Sequence, residues 1–357
     1  MMEELMKYET EVNITEKIDF ANLKFGEKFS ANMLIIDYKD GKWGDAEIVP
    51  FGKISFSPSL SALHYGQVVF EGMKAFHQIK DDGVIVFRPE KHWERLNRSS
   101  ARLCIPPIDK DVFINGLKEL VALDKSFVPN KKGNSLYIRP FSFATDSFLG
   151  VKVSDTYRFM IICSPVGAYF KEGLNPVSLL TVEKFSRGVE GGLGAAKTPA
   201  NYAASMMPAS QAKKRGFAEV VWLDGKEKKY IDEVGTMNIF FRFKDELVTP
   251  PLSDTILAGV TRDSVITIAK EWGIPVNERK VTIEEVCKGI ESGLVTEVFG
   301  TGTAAVISAV GKIEHHDVSY ELNDGKVGEW SKRLFNEITG IQYGEIVDTH
   351  NWCERIV

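Results

Sequence analysis

Short apolar runs bounded by turn residues alternate with amphipathic stretches along the first half of the chain. Residues 33–38 (MLIIDY) and 84–89 (VIVFRP) gather β-branched and aromatic side chains between turn signals such as Asp82-Gly83, which is the pattern of strands. Residues 91–103 (KHWERLNRSSARL) bring Trp93, Leu96 and Leu103 close to helical spacing, and a second helix is expected from about Asp111 to Leu123. SLYIRPFSFA and TYRFMIICSPV read as two further strands. The stretch GAYFKEGLNP then carries glycine and proline but no period, as a linker does. Beyond it the chain looks richer in strands: EVVWLDG, YIDEV, NIFFRF, ELVTP and LVTEVFG are short runs parted by turns, with Asp224-Gly225 a hairpin signal. A helix is expected from near Thr261 to Trp272, ended by Gly273 and Pro275, and another ends at Lys213, Lys214 and Arg215 with Gly216 beyond.

A length of 357 residues exceeds what one core usually serves, so two domains are expected. Their boundaries fall at 1–168 for a smaller N-terminal α/β domain, 169–177 for the linker and 178–357 for a larger C-terminal domain. Hydrophobic residues at 44% and charged ones at 26% fit a folded globular chain. The net charge of -5 gives no electrostatic reason to expect nucleic acid as partner. No apolar run approaches the roughly 20 residues that cross a bilayer, and the start MMEELMKYET is acidic where targeting peptides are basic, so a cytoplasmic protein without membrane attachment is expected. Cys104, Cys163, Cys287 and Cys353 lie far apart without a CxxC pair, which argues for reduced thiols over disulfides or a zinc site. His315 and His316, before a polar loop, read as a solvated turn, and no metal is expected.

Chemistry concentrates in RGVEGGLGAAKTPANYA, residues 187–203. Lys197 stands among Gly191, Gly192, Gly194, Ala195, Ala196 and Ala200, so something large could approach the backbone closely. A lysine forms Schiff bases when burial or a neighbouring cation lowers its pKa. GGLGAAKT also approaches the phosphate-loop pattern GxxxxGKT, but Ala196 replaces the second glycine and the preceding VEKFSRGVE is not strand-like. That alternative predicts magnesium-dependent nucleotide hydrolysis.

GGLGAAKTPANYA, DEVGTMNIFF, LAGVTRDSV and FGTGTAA follow one another in the order and approximate spacing of the branched-chain aminotransferases, of the fold-type IV pyridoxal-phosphate group. LHYGQVVFEGMKAF, FRPEKHWERL and YIRPF in the first half resemble the same family, so the likeness spans nearly the whole chain. It implies an α+β fold of two α/β domains with the active site between them, pyridoxal 5′-phosphate as cofactor, and a homodimer. The implied activity moves the amino group of leucine, isoleucine or valine to 2-oxoglutarate. Related enzymes acting on D-amino acids or aminodeoxychorismate share the fold, but FEGMKAF and EVGTMN favour the branched-chain group.

Carried over residue by residue, Lys197 matches the Schiff-base lysine that also moves the proton between Cα and C4′. Glu233 matches the carboxylate on the pyridine nitrogen, and Tyr202 the tyrosine on the phenolic oxygen. Arg95, Val260, Thr261 and Thr303 match the phosphate ligands; a guanidinium fork and a helix N-terminus both suit phosphate. The Ala304 amide and Thr236 match groups near the substrate carboxylate. Tyr137 and Arg139 match the pair that recognises carboxylates, and alternation places them on one strand face. Tyr65 and Phe70 resemble residues lining the apolar side-chain pocket. Some animal members carry a CxxC pair where this chain has Ala305 and Ser308, so no thiol switch is expected there.

Overall fold

The protein is described here by a computed structural model covering residues 18–167 and 174–357, with the backbone of the short strand Tyr8–Glu9. Residues 169–173 of the expected linker, and the acidic start, lie outside the described residues. The chain divides into one unit formed by Met1–Tyr169 with Ile341–Val357 and another formed by Phe170–Gly340.

The first unit is built on an antiparallel sheet in the order Cys353–Arg355, Val84–Phe87, Met73–His77, Ser135–Ala144, Tyr157–Val166, Asn32–Lys39, Lys42–Trp43, with Glu47–Pro50 and Val68–Phe70 paired beside it. Helices α1 (Ser61–Tyr65), α2 (Pro89–Arg102) and α3 (Lys110–Leu123) accompany it. Asp109 caps α3 by accepting from the Asp111 and Val112 amides, and the helix buries Phe113, Leu117, Leu120 and Val121 in a core with Leu34, Ile36, Phe159 and Ile161. The Ser135–Ala144 strand alternates strictly from Leu136 onward, which sends Leu136 and Ile138 into that core and Tyr137 and Arg139 to the opposite face.

The second unit holds a mixed sheet in the order Ile231–Val234, Glu219–Leu223, Val177–Val182, Val306–His315, Val295–Gly302, Asn238–Phe243, Leu247–Thr249, Val276–Glu278, with Val318–Glu321 beside it. Here Val177–Val182 runs parallel to both of its neighbours. Helices α4 (Pro199–Lys214), α5 (Val260–Glu271), α6 (Ile283–Glu291) and α7 (Glu329–Gln342) complete the elements. On α6, Ile283, Val286 and Cys287 pack with Phe241, Val298 and Ile313. No helix is long and apolar enough to cross a membrane among the described residues.

Several expectations change. The C-terminal segment does not belong with 178–357: Cys353–Arg355 pairs with Val84–Phe87, so Ile341–Val357 joins the first unit, which is then not the smaller one. Nor is the second half richer in strands, because each half carries a nine-stranded sheet among the described residues. The chain leaves the linker at Val177, already the start of a strand. Asp224-Gly225 does open an antiparallel connection, but a longer one than a two-residue turn. The Asp224 carboxylate accepts from the amides of Lys226, Glu227, Lys229 and Tyr230 and so organises the loop. Arg215 and Gly216 do end α4, with Gly216 at φ 84°.

Candidate active site

In the second unit the site is assembled around Lys197, near the end of an irregular segment and separated from α4 by Thr198. Proline at the start of α4 fits the helix entry, since its missing N–H has no partner to lose there. One turn on, Tyr202 receives a hydrogen bond from Lys197 Nζ at 2.9 Å. Asn201, which sequence reasoning gave no role, is buried; its Nδ2 donates to the Leu193 and Ala196 carbonyls at 2.8 Å each and so fixes the turn that presents the lysine. Two of the upstream glycines serve the chain itself. A Cβ at Gly194 or Gly188 would collide with the Thr255 backbone, so their bareness lets two segments of the chain touch. The phosphate-loop alternative fails here, because the preceding strand ends at Val182 and residues 183–190, which separate it from Gly191, form no strand.

Glu233 lies on Ile231–Val234, 2% exposed. Its Oε1 accepts from Asn238 Nδ2 at 3.0 Å and from the Leu257 amide at 3.3 Å, while Oε2 faces the Arg187 guanidinium as an ion pair without a well-oriented hydrogen bond. Burial pushes this carboxyl up to about 7, against the opposing pull of Arg187, the Leu257 N–H and Lys197. Asn238 Nδ2 also donates to the Leu257 carbonyl at 2.8 Å, tying the carboxylate to the approach of α5. Gly259, the residue before α5, has an ordinary φ of -68° but no room for a side chain, since a Cβ would strike the Asn238 amide. Val260 and Thr261 follow as the first residues of α5, both buried. Arg187 and Asn238 were missed in the sequence, although Arg187 opens the glycine-rich segment and Asn238 ends GTMN.

Thr303 and Ala304 occupy residues 303–305, a turn joining the antiparallel strands Val295–Gly302 and Val306–His315; a strand-to-helix turn, the alternative without function, is not what forms. Thr236 is exposed in the turn between Ile231–Val234 and Asn238–Phe243, and lines a small depression with Arg187, Asn201, Tyr202, Ser205 and Gly235. A larger cavity of about 570 Å³ holds Asp224, Asp232, Asp254 and Lys280 but not Lys197 or Glu233. Neighbours on a strand point to opposite faces, so Asp232 and Glu233 serve different surfaces.

In the first unit, Arg95 on α2 is 4% exposed and grips Glu71 in a two-pronged pair, Nε to Oε1 at 2.6 Å and a terminal nitrogen to Oε2 at 2.8 Å. His92, one turn earlier, adds Nδ1 to Glu71 Oε2 at 2.7 Å. Tyr137 and Arg139 do share one face: an Arg139 terminal nitrogen donates to the Tyr137 hydroxyl at 3.1 Å, and the guanidinium lies 4.8 Å from the Phe70 ring centre. Gly72 packs so closely on Tyr137 that a Cβ would overlap its hydroxyl. Tyr65 is 42% exposed at the end of α1, and its hydroxyl donates to the Leu149 carbonyl.

The four cysteines carry free thiols. His315 is not part of a solvated turn but the buried last residue of its strand, and with Glu183 and His316 it brings ligand atoms within 4.8 Å of one another. The two rings stack with their centres 3.9 Å apart.

Known proteins resemble this chain along nearly its whole length. The family described as amino-transferase class IV matches residues 68–313. Branched-chain-amino-acid aminotransferase 2 of Bacillus subtilis is 50% identical over 95% of this chain and 94% of its own length. The branched-chain-amino-acid aminotransferase of Mycolicibacterium smegmatis is 45% identical over 94% and 93%. Among solved structures, the Escherichia coli branched-chain amino acid aminotransferase superposes with a TM-score of 0.77 at 28% identity, covering 92% of this chain and all of the other. Another branched-chain amino acid aminotransferase, solved with pyridoxamine 5′-phosphate, gives 0.78 at 27%, covering 94% and 100%. Family match, near-complete coverage and shared fold together make this chain a member of the class IV aminotransferases, and within them a branched-chain-amino-acid aminotransferase.

Proposed function

We propose that the chain transfers the amino group of L-leucine, L-isoleucine and L-valine to 2-oxoglutarate, reversibly, giving branched 2-oxo acids and L-glutamate, with pyridoxal 5′-phosphate attached to Lys197. The observation that carries this is the pairing of a lysine amine on a tyrosine hydroxyl with a buried carboxylate whose Oε2 accepts no oriented hydrogen bond. Such a carboxylate suits a protonated ring nitrogen. When bound, the coenzyme supplies the electron sink that makes the substrate Cα proton removable.

The chain's own residues divide the remaining work. Lys197 Nζ is the covalent anchor and then the base that takes the Cα proton and returns it, with Tyr202 as its hydrogen-bond partner. Glu233 holds the ring nitrogen, fixed from both sides by Asn238 and Arg187. Val260 and Thr261, Thr303 and Arg95 hold the phosphate; α5 presents a helix N-terminus whose preceding residue, Gly259, has no side chain to occupy it. Ala304 and Thr236 receive the α-carboxylate. Arg139, whose Nε is buried without a hydrogen-bond partner, suits the second carboxylate of glutamate with Tyr137, and Phe70 and Tyr65 suit the branched side chain. The homodimer is part of the same proposal. Phe148, Leu149, Val151 and Val153 are 49%, 62%, 84% and 53% exposed around the carbonyl that Tyr65 holds, an apolar surface that a second copy would cover.

The test follows glutamate formed from 2-oxoglutarate by the coenzyme-loaded chain, with L- and D-leucine, isoleucine and valine as donors. The L-forms should react and the D-forms should not; the reverse preference would place the chain with the D-amino-acid enzymes.

A further inference from the structure

Arg187 is almost enclosed, its side chain 8% exposed, and it faces three acceptors from three parts of the second unit. One is Glu233 Oε2 as an ion pair. The others are the carbonyls of Gly194, three residues before Lys197, and of Thr255, two residues before the Leu257 amide that serves Glu233, each at 3.3 Å from Nη1. The contacts with Gly194 and Thr255 exist only because those segments approach without side chains at Gly188 and Gly194. Asp254 reinforces the same junction, accepting from the Gly191 amide at 2.6 Å and giving its carbonyl to the Ala195 amide at 2.9 Å.

We propose that Arg187 is a positioning residue for this site: its guanidinium favours the anionic form of Glu233 and holds it in place, and the same Nη1 couples that carboxylate to the segment that presents Lys197. The proposal rests on Glu233 being the partner of the coenzyme ring. A buried carboxylate loses its charge unless a cation or donors compensate burial. Besides Arg187, the groups facing Glu233 are few. Lys197 comes from the segment before α4, Asp232 adjoins it on the same strand, Asn238 comes from the neighbouring strand and the Leu257 N–H from the approach to α5. Arg187 is the largest influence opposing burial, while Asp232 works in the other direction. Lysine at this position would supply the charge from an ammonium, so it separates the charge from the shape of the guanidinium.

The experiment uses the full chain without coenzyme, as wild type, Arg187→Met and Arg187→Lys, each also in a Glu233→Gln background. Thermal midpoints are taken from about pH 5 to pH 9, and the difference within each pair isolates the Glu233 carboxyl. In the wild-type pair the difference should fall with rising pH and level near the value of about 7 to which the carboxyl is pushed. Arg187→Met should move the levelling point upward by at least about one pH unit, whereas Arg187→Lys should leave it where it was. An Arg187→Met profile that levels with wild type overturns the proposal, and so does an Arg187→Lys profile that shifts as Arg187→Met does. If Arg187→Met does not fold, Arg187→Lys is scored against wild type by the same criterion. Binding of pyridoxal phosphate, read by its absorbance, should be weakened roughly 10-fold in Arg187→Met, since a rise of one unit in the Glu233 carboxyl is a tenfold change in the balance of its two forms. Unchanged affinity overturns the coupling. Should the wild type fail to take pyridoxal phosphate at all, the functional reading falls, while the coenzyme-free pH profiles still decide whether Arg187 holds Glu233.

Discussion

Replacing Glu71 by glutamine puts the most enclosed ion pair of the first unit to a quantitative test. Glu71 is 0% exposed and receives two bonds from Arg95, one from His92 and one from the Gly72 amide at 3.1 Å. Glutamine keeps the shape but turns one acceptor into a donor facing donors, and leaves the Arg95 guanidinium buried without its anion. Breaking such a pair from one side costs about 3–5 kcal/mol. At about 2–4 °C per kcal/mol for a unit of this size, the first unit should melt roughly 6–20 °C lower. The double replacement Glu71→Met with Arg95→Met should cost less than Glu71→Gln alone, since no buried charge is then stranded. Burial by itself would raise the Glu71 carboxyl, but Arg95 and then His92 outweigh it and hold the group well below the ordinary carboxylate range. A depressed carboxyl stabilises above its unfolded value of 4.5 and loses that contribution as pH falls, so the gap between wild type and Glu71→Gln should narrow in acid. Calorimetry across pH reads both effects. A loss under about 1 kcal/mol, or a double variant as costly as the sum of the singles, would refute the argument.

Three further outcomes follow from single contacts. Gly72→Ala drives a Cβ into the Tyr137 hydroxyl, so the ring must move and release Arg139; the KM for amino acid should rise by about tenfold, with a stability loss near 1–3 kcal/mol, and an unchanged KM counts against the role of the Tyr137 and Arg139 pair. For Glu233 the sign is opposite to Glu71: a carboxyl raised to about 7 stabilises below the unfolded 4.5 and loses about 3 kcal/mol as pH climbs to 7, so coenzyme-free wild type should weaken over that window in denaturant titrations while Glu233→Gln stays flatter. Val151→Glu places a charge on the most exposed member of the apolar surface and should shift the chain to monomer in light scattering; an intact dimer would remove this surface from the interface.

Much of the site was legible because its chemistry sits on residues whose type and local order carry it. Lys197 before a proline-started helix, Tyr202 one turn on, and the glycine ahead of Val260 are local facts that order along the chain preserves. Tyr137 and Arg139 were legible through strand alternation. What stayed hidden depends on partners far apart in sequence. Arg187 meets Glu233 across 46 residues, and Glu71 meets Arg95 across 24, separations at which no periodicity operates. Gly194 suggested an approaching ligand, when the approaching group is the Thr255 backbone. The strand Cys353–Arg355 looked like part of the second domain because adjacency was the only guide; its pairing with Val84–Phe87 joins residues 266 to 270 positions apart.

The attachment of the coenzyme decides the central claim most directly. The chain is loaded with pyridoxal phosphate, reduced with borohydride, digested and mapped by mass spectrometry. The account predicts one modified residue, Lys197, and loss of the label in Lys197→Ala with the fold retained. A label carried by another lysine, or none at all in a folded chain, would contradict it.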